Sequence, residues 1–353
     1  MEETDILSLF EQLTAPAFLV KANQIIYANH AAQQRQFIQG ENITPFLGEY
    51  EEEYQRFENG NLHLVLTAKN SLFPAHISCL QDGHLFLLDT EYASTELSTL
   101  ATVAQQLRDP LSNAMTTVDA LIADANQSQQ QNLQMLTKSL YRLQRAILNM
   151  ADAGTYGQKR EKQITLVDIN QFLFELTEKV STLAETTGIR LSFTQSCEML
   201  FTYIDAEKLE RGLLNLISNA MKASAKDSCI ELSLTRSPNK VYITVKDTGC
   251  GISQNAKGNL FQQYLRQPGL EDARNGSGLG LTIARNAAIA HGGTLLATQN
   301  PEGGVSFTIS LSRITPKGGT LRSPSIFSVD YAGGHDHALL ELSDILPHSL
   351  YEP

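Results

Sequence analysis

The sequence predicts an α+β multidomain chain: a small mixed α/β module, a two-helix antiparallel hairpin, and a larger α/β unit followed by a polar tail. Three observations lead there. Short apolar runs bounded by turn residues fill positions 1–92, apolar residues recur at every seventh position across 93–153, and a polar helix face, a strand-to-turn segment and a glycine-rich helix start follow between 164 and 313. At 353 residues the chain exceeds ordinary single-domain length. With 42% hydrophobic and 18% charged residues it has the apolar content to build cores, which excludes a broadly disordered chain.

In positions 1–92, Ala17–Leu19 and Gln24–Tyr27 read as a hairpin, followed by Asn29 and a small-residue helix start. Residues His63–Thr67, Phe73–Cys79 and His84–Asp89 read as three further strands. The segment PAFLVKANQIIYANHAAQQ resembles the opening of a PAS sensory domain, which implies a dimerisation and relay module. No residue pattern there demands haem or flavin, and His30, His63, His76 and His84 are scattered singly, as solvated or core histidines are.

Residues 93–153 change character. Leu97, Ala104, Leu111 and Val118 recur at heptad spacing, as do Leu100, Leu107, Ala114 and Leu121. After a polar break at Asp124–Gln129, Leu133, Leu140 and Ile147 run beside Leu136, Leu143 and Met150. Such a hairpin cannot bury both seams alone, so two copies are expected to pair as a four-helix bundle in a homodimer. Residues 154–163 then read as a polar linker.

The unit at 164–313 carries the chemistry. In Asn215–Lys222 (NLISNAMK), Asn215, Asn219 and Lys222 fall at i, i+4 and i+7, on one helical face. That face offers carboxamide oxygen to a hard cation and a point charge to phosphate. Asp247–Ile252 (DTGCGI) follows the alternating strand Val241, Ile243, Val245 and turns on two glycines just behind a carboxylate. Gly276–Leu281 (GSGLGL) sets glycines at a helix start, where free backbone N–H groups suit an anion. A P-loop pattern, GxxxxGK[ST], is absent from the sequence.

These three segments, in this order, resemble the ATP-binding domain of sensor histidine kinases, a GHKL-type α/β sandwich shared with DNA gyrase, heat-shock chaperones and MutL proteins. The resemblance implies ATP and Mg²⁺ as cofactors. Asn219 matches the metal-holding amide, with Asn215 one turn earlier; Lys222 matches the phosphate-contacting lysine, and Asp247 the carboxylate that accepts from the adenine amino group. Gly249 and Gly251 match the turn beneath the base, and Gly276, Gly278 and Gly280 the loop over the phosphates. Phe261 and Tyr264 stand where these kinases carry paired phenylalanines, with Gln263 replacing the usual proline, and Gly303–Leu311 resembles the domain's last strand.

The same family carries a run similar to H-E-L-R-T-P-L on the first hairpin helix. Here it is Gln105-Gln106-Leu107-Arg108-Asp109-Pro110-Leu111. The L-R-x-P-L frame is intact, including a helical proline that ordinarily costs about 3 kcal/mol. Gln105 therefore stands at the phosphoacceptor histidine and Gln106 at its acid. A carboxamide nitrogen has its lone pair delocalised into the carbonyl, whereas neutral imidazole has one available. Gln106 cannot act as a general base. The expectation is a degenerate kinase with a regulatory role. The alternative is an active kinase that phosphorylates Asp109 or a partner protein.

From Ile314 the chain turns Pro-, Gly- and Ser-rich, as a flexible linker does. His337–Pro347 (HALLELSDILP) then presents Leu339, Leu340, Leu342, Ile345 and Leu346 as a short apolar helix face, able to dock on its own domain or a partner. His335-Asp336-His337 reads as solvated. A net charge of −11 argues against nucleic acid or an anionic membrane surface as partner. No apolar run reaches membrane-span length, no signal segment opens the chain, and Cys79, Cys197, Cys229 and Cys250 show no zinc or disulfide pattern. A cytoplasmic protein with a response regulator or partner kinase as its partner is the resulting expectation.

Overall fold

The computed structural model describes residues 10, 13, 15–69, 71–80, 83–89, 92–123, 125–153, 164–195, 199–251, 279–313 and 334–351. Gly276, Gly278, Phe261, Gln263, Tyr264, Cys197 and the 154–163 linker fall outside them.

The first module is built on five antiparallel strands: β1 (Ala17–Lys21), β2 (Gln24–Ala28), β3 (Asn61–Ala68), β4 (Ser71–Leu80) and β5 (Gly83–Leu88), in the spatial order 2-1-5-4-3. Short helices α1 (His30–Gln34), α2 (Thr44–Leu47) and α3 (Glu51–Gln55) cross one face. Asn29 caps α1 by accepting from Ala32 N. The core gathers Phe18, Phe37, Phe86, Ile25, Leu64 and Ile77, with Phe18 stacked between Phe37 and Phe86.

Two long helices follow, α4 (Tyr92–Ala123) and α5 (Gln127–Ala153), packed side by side, with Pro110 accommodated inside α4. The two heptad sets have different fates. Ala104, Leu111, Val118 and Ile147 are buried, whereas Leu107, Leu121, Leu136 and Leu143 are each more than 40% exposed. The apolar seam that a single hairpin leaves open is therefore visible along both helices.

The third unit contains the antiparallel pair β6 (Ile164–Asp168) and β8 (Phe201–Asp205), helices α6 (Ile169–Glu185) and α7 (Ala206–Ala223), and strands β7 (Arg190–Gln195), β9 (Cys229–Arg236) and β10 (Lys240–Lys246). It closes with α8 (Gly280–Ala290), β11 (Leu295–Gln299) and β12 (Val305–Ser312). Alternation places Val241, Ile243 and Val245 of β10 inward, against the buried faces of α7 and α8. Asp205 caps α7 by accepting from Lys208 N, and Lys222 sits in its last turn, favourable to the helix dipole.

Strands β11-β12-β10-β9-β7 continue the first module's sheet without a break, because β3 pairs antiparallel with β11, Leu62 opposite Leu296. Each strand would otherwise be a free edge, so the pairing satisfies both sets of backbone groups. Gly60, with φ +89°, enters the junction where a Cβ would lie 2.1 Å from Ala297 O. Beside it, Glu53 of α3 pairs with Lys240 at 2.9 Å and accepts from Ser310 Oγ at 2.9 Å.

After residue 333 the chain returns as α9 (His337–Glu341), a turn over residues 342–347 and a 3-10 turn at His348–Leu350. Leu340, Leu342, Leu346 and Tyr351 are fully buried on α5, α6 and α7. The apolar helix face read from the sequence docks on this chain's own helices, while the solvated reading of His335, Asp336 and His337 is corrected. His335 meets the Tyr141 hydroxyl at 3.2 Å, Asp336 caps α9 and pairs with Lys179, and His337 pairs with Glu210 at 3.0 Å. Leucines spaced for one face of a helix find three apolar surfaces in reach, and burial of their side chains outweighs the cost of ordering the segment.

Candidate functional site

Three structural features converge on the C-terminal half of α7. Asn215, Asn219 and Lys222 lie along the helix; the start of α8 abuts it, since a Cβ on Gly280 would stand 3.0 Å from Asn215 Oδ1. The Asp247 turn closes over its end: Cys250 N donates to Ala223 O, and a Cβ on Gly249 would lie 2.4 Å from that same oxygen. Gly251 turns the chain with φ +74°. Asn215, Asn219, Lys222, Asp247, Gly249, Gly251 and Gly280 thus share one region.

Asp247 is nearly inaccessible at 2% exposure, and its Oδ1 accepts from Gly249 N at 2.8 Å and Val305 N at 3.2 Å. Burial raises its pKa, while the two backbone donors act in the opposite sense. A carboxylate oriented in this way, at the end of strand β10, can accept from one further donor of complementary shape. Asn219 is half-buried on the same helix. Its carboxamide oxygen is a hard donor of the kind that suits Mg²⁺, which commonly takes one or two protein ligands and completes its shell with water and phosphate oxygens. Among the described residues, no cluster of three or more His, Cys, Asp or Glu forms a protein-only metal cage.

Asn215 and Lys222 have partners that motif reasoning did not anticipate. Asn215, fully buried, donates through Nδ2 to Glu341 Oε2 at 3.2 Å and accepts through Oδ1 from Arg145 at 3.2 Å. Lys222 donates to Asp344 Oδ2 at 2.7 Å. Arg145 of α5 also reaches Glu341 at 3.1 Å, Asp344 at 2.9 Å and Ser218 Oγ at 3.2 Å. Arg211 binds Glu341 at 3.2 Å, Asn149 at 3.2 Å and the Asp152 carboxylate. Arg142 donates to Asp344 at 3.1 Å. Burial alone would raise the Asp344 carboxyl, but Lys222, Arg145 and Arg142 outweigh it and hold it below its ordinary range.

One signal for this network was present in the sequence. Lys138, Arg142 and Arg145 fall at i, i+4 and i+7 on α5, and all three contact the returning C-terminal segment, Lys138 through Leu346 O at 2.6 Å. Gln105, Gln106 and Asp109 are exposed on α4.

Residues 204–314 match the family described as histidine kinase-, DNA gyrase B- and HSP90-like ATPase. Similar curated proteins include hybrid signal transduction histidine kinase D of Dictyostelium discoideum, 29% identical over 225 residues, covering 61% of this chain and 14% of that protein. Sensor protein kinase WalK of Staphylococcus saprophyticus is 30% identical over 225 residues, covering 60% of this chain and 36% of its own. Sensor histidine kinase YcbM of Bacillus subtilis is 27% identical over 241 residues, covering 65% of this chain and 76% of its own. The chain thus spans well under half the length of the first two relatives. The solved structure of full-length ShkA in complex with AMPPNP aligns with a TM-score of 0.52 at 23% identity, over 62% of this chain and 46% of that one, which is a likeness of fold. Residues 204–314 thus form an ATPase domain of the histidine kinase-, DNA gyrase B- and HSP90-like type.

Proposed function

We propose, from the histidine-kinase-type ATPase domain at residues 204–314, that this chain is a signal-transduction protein that binds Mg-ATP and lacks the usual histidine phosphoacceptor. The observation that carries the reading is the buried Asp247 carboxylate, held by its own turn against the end of the helix that bears Asn219 and Lys222. Asp247 would accept from the adenine amino group, Gly249 and Gly251 would lie under the base, and Asn219 would hold Mg²⁺. Asn215, Lys222 and the Gly276–Gly280 segment would face the phosphates. Bound Mg²⁺ would supply charge neutralisation of the phosphate oxygens.

Gln105 and Gln106, exposed on α4 within an intact L-R-x-P-L frame, support the degenerate reading: neither side chain offers a nucleophile or a base. The output is then a nucleotide-dependent conformation read by a response regulator or partner kinase. The exposed Leu107, Leu121, Leu136 and Leu143 support a homodimer through the hairpin. The 2-1-5-4-3 strand order and its flanking helices support a PAS-like sensory role for residues 1–92. Among the described residues no helix is long and apolar enough to cross a membrane, consistent with a proposed cytoplasmic location.

Incubation of the full chain with ATP labelled at the γ-phosphate, with and without response regulators, tests this. The expected result is Mg-ATP binding with no acid-labile phosphohistidine on the hairpin. A stable phosphoryl adduct mapped to α4 or α5 would overturn the degenerate reading. Its release by hydroxylamine would then mark an acyl phosphate on Asp109. For the nucleotide site, calorimetry on Asp247→Asn should show affinity lowered by about tenfold or more, as loss of a charged acceptor implies. Unchanged affinity would remove Asp247 from the site.

A further inference from the structure

The two side chains of α7 best suited to hold nucleotide phosphates, Asn215 and Lys222, are already bound to carboxylates. Both carboxylates come from one segment, the C-terminal return at 335–351, through Glu341 and Asp344. Glu341 is fully buried, and each of its oxygens meets a different arginine, Arg145 at 3.1 Å and Arg211 at 3.2 Å. Asp344 sits at the rim and receives Lys222, Arg145 and Arg142. Around these two carboxylates the protein therefore gathers four cations from two elements, and Asp152 is bonded to one of them, Arg211.

Without the segment, Arg145 would lose both Glu341 and Asp344, and Arg211 would lose Glu341 while keeping Asp152. Desolvated cations demand an anion, and guanidinium pairs and ammonium groups serve phosphate as well as carboxylate. The recess therefore suits two occupants of like chemistry: the Glu341/Asp344 pair, or the polyphosphate of a nucleotide whose base is seated at Asp247. They cannot both use Asn215 Nδ2 at once, since one of its two N–H groups is already held by Arg211 O.

We propose that residues 335–351 are a tethered competitor for the nucleotide, with Glu341 and Asp344 taking the places of its phosphates on Asn215, Lys222, Arg145 and Arg211. This rests on the ATP-binding reading above and names a regulation of that same site. The docked segment also clamps the hairpin to the ATPase domain. Lys138, Tyr141, Arg142 and Arg145 of α5 hold it on one side, and Arg211, Lys222, Glu210 and Lys179 on the other. Nucleotide binding then removes the segment's share of the contact between α5 and α7, leaving the direct Arg145 and Arg211 bonds, and anything that draws the segment away raises nucleotide affinity. The coupling is reciprocal.

The test measures binding of Mg-AMPPNP to the full chain by calorimetry, comparing wild type with Glu341→Gln/Asp344→Asn. A segment docked about 90% of the time weakens apparent affinity about tenfold, so the variant should bind about tenfold more tightly or better. Hydrogen exchange on the wild-type chain supplies the second measurement: saturating Mg-AMPPNP should raise exchange across residues 336–346. A synthetic peptide of residues 334–351 should restore weak binding to the variant, and the same peptide carrying both substitutions should not. Asp344→Asn alone, at the rim, repeats the comparison should the double variant fail to fold. Equal affinity of wild type and folded variant, with the segment still protected at saturation, would make it a permanent strut and overturn the proposal while leaving nucleotide binding intact. No binding by a folded variant whose segment exchanges freely would overturn both.

Discussion

Asp247 and Gly249 show how closely a polar site can depend on a missing Cβ. The carboxylate is oriented by the amide of Gly249, and that amide is in position because the turn approaches Ala223 O more closely than any side chain allows. Gly249→Ala should therefore destabilise the domain by about 1–3 kcal/mol, the usual result of forcing an atom into packed space. Urea denaturation would measure it, and an unchanged midpoint would mean that the turn stands farther from α7. The types and spacing of Asp247, Gly249 and Gly251 were legible in sequence because a turn behind a carboxylate is a local pattern. The roles of Arg145 and Arg211 were not, because an arginine on a helix looks alike whether it faces water or a buried Glu341 130 or more residues away.

Among the elements, the hairpin divides its leucines between two tasks. Ala104, Leu111 and Met115 pack with Ile147 within the hairpin, so a charge at Ala104 would break the hairpin itself. The Leu107/Leu121 and Leu136/Leu143 rows remain open and are the better probes of assembly. Leu107→Glu and Leu143→Glu should convert a dimer to monomer in sedimentation equilibrium. The stability of the isolated protomer should change by no more than about 0.5 kcal/mol, as for other surface substitutions. A persisting dimer would move the interface off the hairpin. Heptad spacing revealed both rows but could not rank them, since which row faces inward depends on how the two helices rotate against each other. α9 posed the reverse problem. Its leucine spacing was plain, and its partners were set by the α5 and α7 surfaces it returns to.

At the scale of the whole molecule, one sheet runs through the first module and the ATPase domain, and its junction buries titratable groups. His63 of β3 is fully buried at the β3–β11 pairing, with Asp89 3.7 Å away and Arg285 of α8 on the same carboxylate at 3.3 Å. Burial, reinforced by Arg285 and opposed by Asp89, pulls its pKa down to about 4; burial and the neighbouring His63 pull His76 to about 3. Both are neutral in the folded protein, and unfolding restores the ordinary value near 6.5. The unfolded chain then binds more protons below that value, so stability is complete above about pH 6.5 and falls as the pH drops toward 4. At pH 5 each histidine should cost about 2 kcal/mol relative to pH 7.5. Thermal melts at the two pH values should show the loss, reduced in His63→Gln. An equal loss in that variant would assign the acid sensitivity to other groups.

The sequence by itself determined the character of the ATPase domain, the turn at Asp247, the heptads of the hairpin and the glutamines in the L-R-x-P-L frame. All of these are written in neighbouring residues, where backbone geometry translates spacing into shape. Only the tertiary structure decided three things: that two sheets join through β3 and β11, which row of leucines stays open, and that the C-terminal apolar helix docks where it brings Glu341 and Asp344 onto Asn215 and Lys222. Each depends on surfaces distant in sequence meeting at a set angle. Complementary charge and apolar area are recognised across space, and no spacing along the chain encodes which of several compatible surfaces will be reached first.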